Sequence, residues 1–116
     1  VNLDEAIQRH AEWKVKFRSA IAKRERMDVD TISVDNRCAL GQWLHGEGRA
    51  RHGARPEFAV VVQRHKAFHI EAGKVARLIN LGQYDQAEQA LGNGTPFSQA
   101  SMEVGTAILQ LKKAAA

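Results

Sequence analysis

Apolar positions in this chain recur at steps of three and four, and no stretch keeps up a two-residue alternation, so the pattern predicts an all-α fold. The clearest stripe runs through Phe58, Val62, His65, His69, Ala72, Ala76 and Ile79, the inward face of one helix. Pro56 suits the first position of that helix, which is expected to reach about Asn80 and stop before Gly82. An earlier helix is expected from Asn2, a cap with Glu5 three residues on, to about Arg26, turning Leu3, Ile7, His10, Phe17 and Ile21 inward. Lys14 interrupts that face and is expected to snorkel. The segment from Asp28 to Val34 reads as a connector, after which Asp35 or Ser33 caps a short helix through Cys38, Leu40, Trp43 and Leu44, closed by Gly46.

Residues 45–55 read as a glycine-rich basic loop. Tyr84, Ala87 and Leu91 predict a short helix ended by Gly92, and Thr95 with Pro96 opens a last helix burying Phe97, Ser101, Val104, Ile108 and Leu111. Three long helices and two short ones make a four-helix-bundle-like domain, the extra short helix carrying the cysteine. Gly73 and Gly105 fall inside helices, where glycine costs about 1 kcal/mol relative to alanine, and each is expected to mark a close helix approach.

Composition narrows the classes. The 116 residues suit one domain, and 44% hydrophobic with 26% charged residues is the balance of a folded chain, not a disordered one. No apolar run approaches the roughly 20 residues of a membrane span, and no signal-peptide pattern opens the chain, so a cytoplasmic setting is expected. The chain opens at Val1 without an initiator methionine and is expected to be one domain, residues 1–116, excised from a longer protein. The net charge of +4 permits nucleic acid without demanding it, because basic and acidic residues alternate.

The polar interlopers on the apolar faces carry the chemistry. His65 and His69 lie one turn apart on the inward stripe, so their ring nitrogens can converge on one ion. His10 sits on the inward seam of the first helix, and Cys38 on a short helix that Leu40 and Trp43 or Leu44 dock against the bundle. With Asp35 as cap, Cys38 would occupy the third helical position, where the helix dipole favours a thiolate. A single inward histidine is more often a hydrogen-bonded core residue than a ligand. Four such groups would each need a buried partner, whereas one ion satisfies them all. Imidazoles with a thiolate suit zinc, and the inward carboxylates of a di-iron bundle are missing.

His45 and His52 are expected to be exposed, though either is an alternative ligand. Trp13, Trp43, Phe58 and Phe68 are expected to pack around the site. Arg49, Arg51 and Arg55 form a basic cluster whose main reading is a solvated loop, with a phosphate or acidic-partner contact as the other.

The segments HAEWK (His10 to Lys14), DNRCALGQWL (Asp35 to Leu44) and HKAFH (His65 to His69), followed by EAG, resemble the bacterial chemoreceptor zinc-binding (CZB) domain across nearly the whole chain. The resemblance implies a zinc ion held by His10, Cys38, His65 and His69. It also implies a cytoplasmic sensory or regulatory module joined to a chemotaxis receptor or a diguanylate cyclase, homodimeric through that parent, and responsive to zinc or to oxidants such as hypochlorous acid. No enzyme activity is expected, since four protein ligands leave no open position for water or substrate. A structural zinc staple and a basic nucleic-acid-binding module are the alternatives.

Overall fold

The computed structural model describes residues 1–116, all helix and connecting turn. Its first rod is two segments, α1 (Leu3–Ala11) and α2 (Trp13–Lys23). Asn2 caps α1 by accepting the Glu5 N–H at 3.0 Å, as the sequence predicts. Glu12 interrupts the regular pattern but keeps right-handed helical angles, and the Lys16 N–H still donates to its carbonyl. The rod stops at Lys23, short of the expected Arg26. Arg24 adopts the left-handed conformation (φ 53°), and the Glu25 N–H returns to the Ala20 carbonyl, the wrap-around closure that ends many helices.

The expected connector at residues 28–34 contains one helical turn, α3 (Val29–Ile32). Asp28 caps it, accepting from both the backbone and the hydroxyl of Thr31, and Ile32 is buried. Next comes α4 (Ala39–Leu44), and here the expected cap was wrong. Cys38 is itself the N-cap, its sulfur accepting the Gly41 N–H at 3.3 Å, so it does not occupy the third helical position. Residues 35–38 turn tightly because Gly41 lies against the Asp35 carbonyl, where any Cβ would collide. The expected loop at 45–55 also holds a helical turn, α5 (Glu47–His52), with Gly48 tucked under the Trp43 ring.

The long helix α6 (Pro56–Asn80) matches its predicted bounds, with Pro56 in its first turn. It buries Phe58, Val61, His65, Phe68, His69, Ala72, Val75, Ala76 and Ile79, a wider stripe than the expected one, and Val62 is only half-buried. α7 (Tyr84–Ala90) and α8 (Pro96–Ala115) follow, the latter capped by Thr95, which accepts the Ser98 N–H. α8 packs on α6 and on α1, while α2 and α7 close the other side, giving the expected four-helix-bundle-like architecture. Gly73 does mark a close approach, its missing Cβ making room for Ser33, but Gly105 faces open space. Phe17, Phe68 and Phe97 interlock at ring separations of 5.5 and 5.6 Å, tying α2, α6 and α8 together.

Candidate metal centre

His10 comes from the last turn of α1, Cys38 from the cap of α4, and His65 and His69 from successive turns of α6. One donor atom from each lies within 4.8 Å of all the others. The Nε2 atoms of His65 and His69 are 3.0 Å apart, and the Cys38 sulfur is 3.2 Å from the first and 3.6 Å from the second. Tetrahedral zinc, with bonds of about 2.0–2.1 Å to nitrogen and about 2.3 Å to sulfur, has edges of about 3.3 Å between nitrogens and about 3.6 Å between sulfur and nitrogen. The three separations therefore sit close to the edges of that tetrahedron.

Backbone carbonyls aim two of the rings. His10 Nδ1 donates to the Ala6 carbonyl at 2.7 Å, and His69 Nδ1 donates to the Ile32 carbonyl at 2.9 Å. A carbonyl only accepts, so both Nε2 atoms present lone pairs to the cluster, the arrangement in which a ligating histidine is oriented from its far side. His10 Nε2 is buried with no hydrogen-bond partner. That buried atom lies within 4.8 Å of donor atoms of two further imidazoles and a sulfur, a grouping that one cation would satisfy. His65 lacks a comparable carbonyl, and its Nδ1 is buried without a partner.

Burial keeps the donors neutral. It lowers His10 and His69 against the opposing pull of their carbonyl bonds. It takes His65 down to about 2, helped by charge on His69, His10 and His45. Burial pushes the Cys38 thiol up, against the N–H groups of Gly41 and Leu40 that favour the thiolate. The helix-end advantage expected for this sulfur is thus outweighed, and a bound cation is what would hold it as thiolate.

His45 lies outside the cluster, exposed, with Nε2 3.4 Å from Asp35. His52 is half-buried instead of exposed, beside Trp43 and Arg55. Phe68 packs edge-on against His10 and His69, and Trp13 leans on Phe17. Trp43 and Phe58 pair with each other at 6.2 Å. Arg49, Arg51 and Arg55 are exposed. Arg51 lies 3.5 Å from Glu47, and Arg55 donates to the Ala114 carbonyl. The pattern of side chains gave no hint of the Ile32 carbonyl, which is backbone. The Asp28 to Thr31 cap motif was the one signal that a helical turn would deliver it.

No helix is long and apolar enough to cross a membrane. The family model for the chemoreceptor zinc-binding domain matches residues 10–76, from the first of the four converging residues to beyond the last. No curated protein and no solved structure matches the chain.

Proposed function

The chain belongs to the chemoreceptor zinc-binding domain family, and on that premise we propose that His10, Cys38, His65 and His69 hold one zinc ion in a sensory or regulatory domain of a bacterial signalling protein. The observation that carries the ligand assignment is the meeting of four donors from three separate elements, with His10 Nε2 buried and otherwise unpartnered. Bound there, zinc supplies positive charge that keeps the thiolate and the neutral imidazoles together. Its coordination would be filled by protein, so the domain binds and does not catalyse.

The partner is the signalling region of the parent chain, first of all a chemotaxis receptor and otherwise a diguanylate cyclase, with the domain dimeric through that parent. Cys38 suits the cytoplasm, whose reducing poise keeps thiols free. The signal passes through the segment from Asp35 to Leu44. Only the sulfur ties this segment to the ion, so oxidation of the Cys38 thiolate by hypochlorous acid, giving the sulfenic acid and chloride, weakens that tie and leaves α4 held by the packing of Leu40 and Leu44.

Metal analysis of the purified domain tests the assignment. One zinc per chain is expected, lost on alanine replacement of any of the four residues and retained on His45→Ala or His52→Ala. Stoichiometric zinc surviving in two of the four variants sinks it. A purely structural role for zinc is the competing reading, because the ion would pin α4 to the bundle. The apo domain decides between them. The 21 buried apolar residues of the core include none of the four ligands, so a chelated domain that keeps its helicity supports the signalling role and one that unfolds supports the staple.

A further inference from the structure

We infer that zinc is exchanged through a mouth beside α1 at which anionic chelating ligands dock, with Cys38 the first donor they meet. The inference rests on the zinc reading above and adds the route and the class of exchange partner. A cavity of about 490 Å³ opens between the α1–α2 rod and the turn carrying Cys38. Arg9, His10, Trp13 and Lys16 form one wall, and Cys38 and Ala39 belong to the other. Neither His65 nor His69 reaches it. His10, His65 and His69 are 4%, 0% and 3% exposed and His10 Nε2 is buried, whereas Cys38 is half-buried. A donor arriving from solvent therefore meets the cluster at its sulfur.

Charge selects the visitor. Arg9 is paired with Glu5 at 3.2 Å, but Lys16 rests its ammonium 4.6 Å from the centre of the Trp13 ring instead of on a carboxylate. Two positive groups and one negative leave the rim positive, and a zinc centre with one thiolate and three neutral imidazoles carries a further formal +1. Such a field repels a bare divalent cation and draws in anions. The cavity has the size of a small-ligand site, so the ion passes as a complex with carboxylate- or thiolate-bearing chelators. An incoming donor would add beside the sulfur, and Cys38 Sγ would be the protein ligand it replaces. No electrons are transferred, and a departing thiolate takes its proton from solvent.

Stopped-flow transfer of zinc from the loaded protein to anionic EDTA and to the neutral chelator TPEN, at low ionic strength, tests this. Lys16→Glu is expected to slow capture by EDTA on the order of fivefold, an effect that added salt removes, and to leave capture by TPEN unchanged. Ala39→Trp places bulk on an exposed wall position. It is expected to slow release and uptake alike, with both chelators, while affinity stays within about twofold. Val60→Trp, exposed on the far groove between α6 and α8, is expected to change nothing. Unchanged rates in both mouth variants, or equal slowing by Val60→Trp, overturn the route in favour of exchange by general opening. Zinc stoichiometry is measured on the same samples. Its absence removes the zinc reading itself, whereas full stoichiometry with rates indifferent to the mouth removes only this inference.

Discussion

Acid is expected to strip zinc from this domain only as the bundle itself opens. His65 is fully buried and held at about 2 against an ordinary 6.5. With no ion bound, charging it in place therefore costs on the order of 6 kcal/mol at about 1.36 kcal/mol per pH unit. That falls at the lower end of the whole stability of a small domain, about 5–15 kcal/mol, and unfolding becomes the cheaper route because it lets His10, His65 and His69 take up protons together. A base lowered by folding binds fewer protons in the folded than in the unfolded chain. Its contribution to stability is complete above pH 6.5 and is lost progressively as pH falls from there toward the folded value. At pH 5 the unfolded chain gains about 2 kcal/mol from protonating His65 alone, and His10 and His69, lowered by the same burial, add in that direction. The assay titrates the zinc-loaded domain from about pH 7.5 to about pH 4.5 while a metal indicator reports released zinc and far-ultraviolet circular dichroism reports helix. The two curves should superimpose, with a midpoint below pH 6.5. Zinc released while helicity is intact, with imidazolium signals from the folded bundle in the NMR spectrum, would refute the reasoning.

Further outcomes follow from single positions. Gly41→Ala drives a Cβ into the Asp35 carbonyl and shifts the turn that aims Cys38, so zinc affinity should fall on the order of tenfold with helicity kept; a competitive chelator titration reads this, and unchanged affinity counts against the role given to the turn. Gly105→Ala meets no neighbour within 4 Å and should raise stability by about 1 kcal/mol in urea denaturation. Gly73→Ala should do the opposite, because its Cβ would strike Ser33. If both alanines act alike, the packing described here is wrong. Asn80 both accepts from the Met27 N–H and donates to the Met27 carbonyl at 2.8 Å. Asn80→Ala should cost about 1–3 kcal/mol in the same denaturation while zinc stoichiometry is retained; loss of the metal instead would place Asn80 in the site's support.

The long elements were legible because each is marked twice, by an apolar stripe and by an end signal: Asn2 with Glu5, Pro56 with Gly82, and Thr95 with Pro96 all delimit helices where expected. Of the short ones, α4 and α7 were also read from the sequence, and α3 and α5 were not. α3 and α5 are single turns, too brief for any periodicity, and their residues look like connector and loop until Ile32 and Gly48 are seen to be buried. Cys38 was assigned to the right element but the wrong position, because several polar residues before α4 can cap it. The choice among them depends on the fit of Gly41 to the Asp35 carbonyl.

The chain on its own determined which side chains face inward, since three- and four-residue spacing sets the face of a helix whatever packs against it. His10, His65 and His69 were thereby committed to the interior, and the order of histidine, cysteine and histidine pair pointed to the family. Packing alone decided that the three elements bearing the donors meet at one point, and which nitrogen of His10 and of His69 faces it. Those outcomes depend on contacts far apart in sequence. The carbonyl that turns His69 toward the cluster belongs to Ile32, 37 residues away, and backbone carbonyls are alike at every residue, so nothing in the text of the chain distinguishes this one.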